Sequence, residues 1–246
     1  MRVFAIGDLH LEGGSGKTMD RFGENWKNHD QKIFSAWERI GREDDLLILA
    51  GDLTWATHLE EALPDLQRIG AMKGRKILIK GNHDYWWQTK AKLQRSLPHS
   101  VGVLQARSTI VNRVAVAGTR GWVCPGSFYF KDEDLKIYER EVGRLERGLN
   151  ALRGCESEYD CLIVALHYPP TNESREESGF TELAMRYQAT ACVYGHLHGE
   201  STRSALTGLY QGTAYYLVSA DYVDFRPIEI ARANQVSLRP VASEDS

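Results

Sequence analysis

A chain of 246 residues with 42% hydrophobic and 26% charged residues has a globular balance, and its length suits one large α/β domain. A formal net charge of -3 excludes the broad basic surface that long nucleic acids need. The four cysteines form no CxxC pair, which fits reduced thiols. No segment approaches the ~18 apolar residues of a membrane span, and MRVFAIGDLH is too short for a secretory core. A cytoplasmic protein is expected.

The first apolar run, Arg2–Gly7, reads as a buried strand, followed by a helix over Asp30–Ile40 with Ile33, Phe34, Trp37 and Ile40 on one face. Asp45–Ala50 is a second strand, and Leu59–Ile69 a second helix carrying Leu59, Ala62, Leu63, Leu66 and Ile69. A third strand, Arg75–Lys80, runs into GNHDYWWQ, where Trp86 and Trp87 are expected on a helix. Two adjacent helical residues point about 100° apart, so at least one tryptophan should anchor that helix in the core.

Ser96–Ala117 alternates β-branched and turn residues and reads as an antiparallel meander. Lys131–Leu152 reads as a charged helix, Cys161–Leu166 and Ala191–Tyr194 as further buried strands, and Gly208–Ile230 as strand-like. A βαβαβ opening followed by more strands predicts two packed sheets with helices outside. No linker divides the chain, so one domain over residues 1–240 and a tail over 241–246 are expected.

Each strand ends in the same kind of residue. Asp8 and His10 follow the first, Asp52 the second, Asn82, His83 and Asp84 the third, His167 the fourth, and His196 and His198 the fifth. In open α/β sheets the carboxyl ends of strands are where ligands bind. On an extended backbone residues two apart point the same way, so Asp8/His10 and His196/His198 each form a two-toothed clamp. Gly7, Gly51, Gly81 and Gly195 stand just before these residues, where they let the chain turn and leave room for metals. Oxygen and imidazole donors without thiolate suit Mn²⁺, Fe or Zn²⁺. Five of the eight histidines belong to this set, too many for satisfied polar residues alone.

DLH, GDLTW, GNHD, His167 and GHLH together resemble the five signature blocks of the calcineurin-like metallophosphoesterase superfamily. The resemblance implies an α/β (α+β) fold with four αββα layers, in which two mixed sheets are flanked by helices. It implies two divalent ions, Mn the first expectation and Fe or Zn the others. Asp8, His10 and His198 would hold one ion, Asn82, His167 and His196 the other, and Asp52 would bridge them. The implied reaction is hydrolysis of a small phosphorylated substrate, a phosphodiester or metabolite, by in-line attack of a bridging hydroxide. His83 would protonate the leaving group or stabilise its charge, with Asp84 orienting that imidazole or capping the next helix. The Asp and Arg that Ser/Thr protein phosphatases carry after the bridging Asp are here Thr54 and Trp55. That departure points to prokaryotic-type hydrolases.

Among substrate contacts, Arg120 could fork onto phosphate oxygens, and Trp122 and Tyr168 could line the pocket. Phe128 and Tyr129 could stack on an aryl group, although Phe128 and Phe130 read slightly better as core or dimer aromatics, so a homo-oligomer stays open. GGSGKT at Gly13–Thr18 resembles a P-loop, but Leu11 stands where its first glycine belongs, so a rim loop is the better reading. His29, His58 and His99 read as surface or helix-end residues.

Overall fold

The short apolar runs form strands buried on both faces. In β1 (Arg2–Ile6), Val3 and Ala5 join one apolar cluster while Phe4 and Ile6 join another. β2 (Leu46–Leu49) divides the same way, with Leu46 and Ile48 on one side and Leu47 and Leu49 on the other. Strands of this kind need a covering layer on each face. The computed structural model describes residues 1–14, 16–232 and 235–236, and the expected tail lies outside them.

One six-stranded sheet has the order β12 (Gln235–Val236), β11 (Ile228–Arg232), β1, β2, β3 (Arg75–Ile79), β4 (Val101–Leu104). The other has the order β5 (Arg107–Val111), β6 (Val114–Gly118), β7 (Cys161–Ala165), β8 (Ala191–Tyr194), β10 (Thr213–Leu217), β9 (Gly208–Tyr210). β1 to β4 are parallel, as are β6, β7, β8 and β10, and the outlying strands pair antiparallel.

Between the sheets, Ile48, Ile77 and Ile79 meet Val116, Ile163 and Val193. The far face of the first sheet is covered by α1 (His29–Ile40), α2 (Leu59–Ala71) and α3 (Lys90–Ser96), through Ile33, Trp37, Leu66 and Leu93. The second is covered by α4 (Asp134–Asn150) and α5 (Gly179–Arg186), through Leu145, Leu149, Phe180 and Leu183. The four αββα layers of the expectation are present.

Three local expectations fail. Ser96–Ala117 is not an antiparallel meander, because β4 pairs parallel to β3 and only β5 and β6 form an antiparallel pair. The chain changes sheets between β4 and β5, which alternation cannot reveal. Trp86 and Trp87 precede α3, in a turn rather than on a helix, yet both are buried in the cluster beneath α1 and α2. Ile40, at the end of α1, is exposed. His29 opens α1, one of the two positions expected of it, and is buried there with its ring nitrogens at Trp26 O and His10 O.

Candidate metal centre

The turns that follow β1, β2, β3, β7 and β8 converge through hydrogen bonds between loops. Asp8 N–H donates to Gly51 O at 2.8 Å, His10 N–H to Asp52 O at 3.0 Å, and Gly195 N–H to His167 O at 3.1 Å. Asp8, His10, Asp52 and His196 all adopt positive φ, between 45° and 73°. The extended-strand argument for the two clamps is therefore corrected. The side chains converge because the candidate donor positions turn into the left-handed region, a conformation that costs about 1 kcal/mol or more per residue and clusters at functional sites. Gly81 and Gly195 are needed for room rather than turning. A Cβ at Gly81 would lie 2.0 Å from Asp52 Oδ1, and one at Gly195 would lie 2.2 Å from Asp8 Oδ2.

Two groups of donors result. Asp8, His10 and His198 form one, with His198 Nε2 at 3.4 Å from Asp8 Oδ1. Asn82, His167 and His196 form the other, with Asn82 Oδ1 at 2.7 Å from His167 Nε2 and 2.9 Å from His196 Nδ1. Asp52 lies between them, its Oδ2 at 3.9 Å from His10 Nε2 and 3.6 Å from His167 Nε2. Asp8 also reaches the second group, at 4.0 Å from His167 Nδ1.

The donor set fits a cation. His167 Nδ1 lies 2.9 Å from Ala50 O, a partner that can only accept, so Nδ1 carries the proton and Nε2 presents a lone pair. That lone pair faces the Asn82 oxygen and lies 3.3 Å from His196 Nδ1. Burial holds His167 below the ordinary imidazole value and His196 down at about 3, so both rings are neutral and each can offer a nitrogen lone pair. A divalent ion there would accept lone pairs from these atoms.

In the other group, His198 Nδ1 lies 2.7 Å from Asp221 Oδ1. Burial opposes a charge on His198, but its hydrogen bonds to Asp221 and Asp8 raise it to about 10, a proton that a metal ion would displace. Burial and the Asp8 charge push Asp52 up to about 8. Burial opposes the charge on Asp8 as well, yet His198, His167 and His10 together hold its carboxyl below the usual range. Two buried carboxylates so close together call for cations.

His83 is half-buried. Its backbone N–H donates to Asp52 Oδ1 at 2.8 Å, and its ring packs 4.8 Å from Trp55. Trp55 in turn stacks on His10 at 4.7 Å. Burial and the neighbouring His167 hold His83 below its ordinary value. Asp84 neither caps a helix nor orients this imidazole. Its carboxylate accepts from Asp52 N, Leu53 N, Gly81 N and Trp86 Nε1, at 2.8 to 3.0 Å. The helix after it starts at Lys90 and is capped by Thr89. Asp84 is thus a buried knot that ties the Asp52 and Asn82 turns together.

Tyr168 stands beside the site, its ring 4.2 Å from His196. Arg120 and Trp122 are placed differently. The Arg120 guanidinium covers the Trp122 ring at 4.4 Å and faces buried Glu141 at 4.0 Å, while Trp122 Nε1 donates to Asp134. The Arg120 carbonyl accepts from His167 and Tyr168 N–H, so its main chain supports a ligand position. Gly13 of the P-loop-like stretch donates to Asp65, which also accepts from Thr54 Oγ1, and Lys17 sits over the Trp55 ring at 5.3 Å. Sequence reasoning missed Asp221, the carboxylate behind His198, and the stacking role of Trp55. No spacing signal marks either, since Asp221 is 23 residues from its partner.

Two mixed sheets flanked by helices, with Asp, Asn and His gathered at strand ends, define a metal-dependent phosphohydrolase. The chain belongs to the calcineurin-like phosphoesterase family, whose model matches residues 1–200. Among solved structures it resembles phosphopantetheinyl hydrolase from Mycobacterium tuberculosis, with 17% identity, a TM-score of 0.51, and coverage of 89% of this chain and 88% of that one. A protein of unknown function from Aquifex aeolicus aligns with 16% identity, a TM-score of 0.49, and coverage of 93% and 95%. These likenesses concern the fold. A search of the curated proteins finds no match. Among the described residues no helix is long and apolar enough to cross a membrane.

Proposed function

We propose that this phosphohydrolase is dinuclear: Asp8, His10 and His198 hold one divalent ion, Asn82, His167 and His196 hold the other, and Asp52 bridges them. The observation that carries this reading is the convergence of donors: the His167 Nε2 lone pair, Asn82 Oδ1 and His196 Nδ1 lie 2.7 to 3.3 Å from one another, with Asp52 Oδ2 3.6 Å from His167 Nε2. Oxygen and imidazole donors favour Mn²⁺, with Fe or Zn²⁺ as alternatives. Such ions, when bound, polarise phosphoryl oxygens and make a hydroxide nucleophile available at neutral pH.

The chain's own side chains orient and protonate. Asp221 and the Ala50 carbonyl fix the tautomers of His198 and His167. Among the described residues no carboxylate forms a hydrogen bond or ion pair with the His83 ring, and its depressed proton affinity favours a neutral imidazole. It serves best by donating an N–H to the oxygen that gains charge as the ester bond breaks. Tyr168 is a substrate contact, whereas Arg120 and Trp122 brace the wall behind it. The substrate is a small phosphorylated molecule, a diester or metabolite. Residues 1–240 act as one domain, a reading supported by the core shared between the sheets. The four unpaired thiols fit a reducing, cytoplasmic setting.

Asp52→Asn tests the bridge. Elemental analysis should show at least one ion lost per chain, and turnover should fall by ~10²-fold or more. A variant that keeps both its metal and its activity would refute the bridging role.

A further inference from the structure

Two clefts leave the metal centre, and His196 lines both. The smaller, about 460 Å³, has Asp52 and His83 in its lining and Phe22, Trp26 and Trp55 as aromatic walls. The larger, about 700 Å³, runs from His196 and Tyr168 past Phe128 and Tyr129. A phosphate monoester has one organic substituent and would occupy one cleft. A diester has two substituents on the same phosphorus and would occupy both.

Three of these aromatic rings are offered to solvent. Phe128 is 86% exposed, Tyr129 78% and Phe22 61%. Of the two alternatives for Phe128, core or dimer surface, this exposure removes the core. The loop that carries Phe128 and Tyr129 is tied down by Ser127 Oγ donating to Glu173 at 2.8 Å and by Asn172 Nδ2 donating to the Pro125 carbonyl at 3.0 Å. Its rings are therefore held out by a fixed frame. Exposed aromatic faces gain most when a planar group covers them. Charge limits that group: Glu133, Asp134, Glu173 and Glu200 line the larger cleft against Lys131 and Arg203. A second phosphate on the arm would meet an acidic majority.

We infer that the substrate is a phosphodiester of two uncharged alcohols, each arm in its own cleft, with a planar ring against Phe128 and Tyr129. The inference rests on the two-metal reading above. The departing arm lies in the smaller cleft beside His83. Water's oxygen forms the new bond to phosphorus, and the P–O bond to that arm breaks. The departing oxygen keeps the electron pair and takes one of the attacking water's two protons, leaving as an alcohol, while the other proton passes to solvent. The monoester product keeps the arm in the larger cleft.

The test uses the full chain loaded with Mn²⁺. Bis(p-nitrophenyl) phosphate should exceed p-nitrophenyl phosphate in kcat/KM by about tenfold or more, the size of one stacking contact. The double variant Phe128→Ala/Tyr129→Ala, and separately Phe22→Ala, should lower that ratio by about 5- to 50-fold. Binding supplies a second readout without turnover. By calorimetry, diphenylphosphinate, which carries two arms, should bind more tightly than one-armed phenylphosphonate, and the double variant should erase the difference. A wild-type preference for the monoester, or equal binding of the two probes, overturns the inference while the two-metal reading stands. Failure to bind metal or to cleave either ester sinks that reading instead, and the calorimetry still decides whether two arms are accepted.

Discussion

His83 and Asp84 are neighbours with separate duties. His83 faces the smaller cleft beside Asp52 and Trp55, while Asp84 is turned inward to four N–H donors. His83→Ala should therefore lower kcat by about 10²-fold while metal content stays at the wild-type level. The loss should be smaller for p-nitrophenolate than for an alkoxide leaving group, because a stable leaving anion needs less help. If elemental analysis shows metal lost from this variant, His83 is a ligand and its assigned role fails. The candidate donor positions were legible as residues because each follows an apolar strand directly. The duty of Asp84 was not legible, since two of its donors, Asp52 and Leu53, lie 32 and 31 residues away. Asp221 was hidden for the same reason.

Among the elements, the buried strands and the first two helices were readable because burial on both faces, or on one stripe, leaves a local apolar pattern. Pairing direction was not, as β4 and the Trp86–Trp87 turn show. One device joins α2 to β3. Lys76 is buried and its Nζ donates to the carbonyls of Gly70, Met72 and Gly74 at 2.5 to 3.0 Å, closing the end of the helix. Lys76→Met would take this donor from the Met72 and Gly74 carbonyls, while Gly70 O keeps Ser100 Oγ at 2.9 Å, and should cost about 2 kcal/mol at pH 7, read from the urea midpoint. Burial pushes the amine from 10.5 down to about 8. Between those values the unfolded chain holds a proton that the folded protein has released, so folding stability rises with pH. The wild type should thus gain on Lys76→Met between about pH 8 and 10.5, and a constant gap would show the folded amine still charged there.

At the scale of the whole molecule, the two sheets are joined where the donors gather, with Gly7 N–H bonded to Val218 O at 2.7 Å across them. Ions at that seam would bind the folded protein and not the unfolded chain. At ~100 times the dissociation constant such binding adds about 2.7 kcal/mol, which for a chain of this size raises Tm by about 5–10 °C. Chelation with EDTA should lower Tm by that amount, and Mn²⁺ should restore it. A Tm indifferent to both would mean that the lone-pair cluster holds no ion.

The sequence by itself determined the alternation of strand and helix, the donor types and their place at strand ends, and through them the family. These features are local: a strand's burial and the residue that follows it are written within a few positions. Only the tertiary structure decided that the donors meet through left-handed turns, that Asp221 and Ala50 orient the imidazoles, and that two clefts open from one centre. Each of these joins residues far apart in the chain, and long-range closure leaves no periodic trace in sequence.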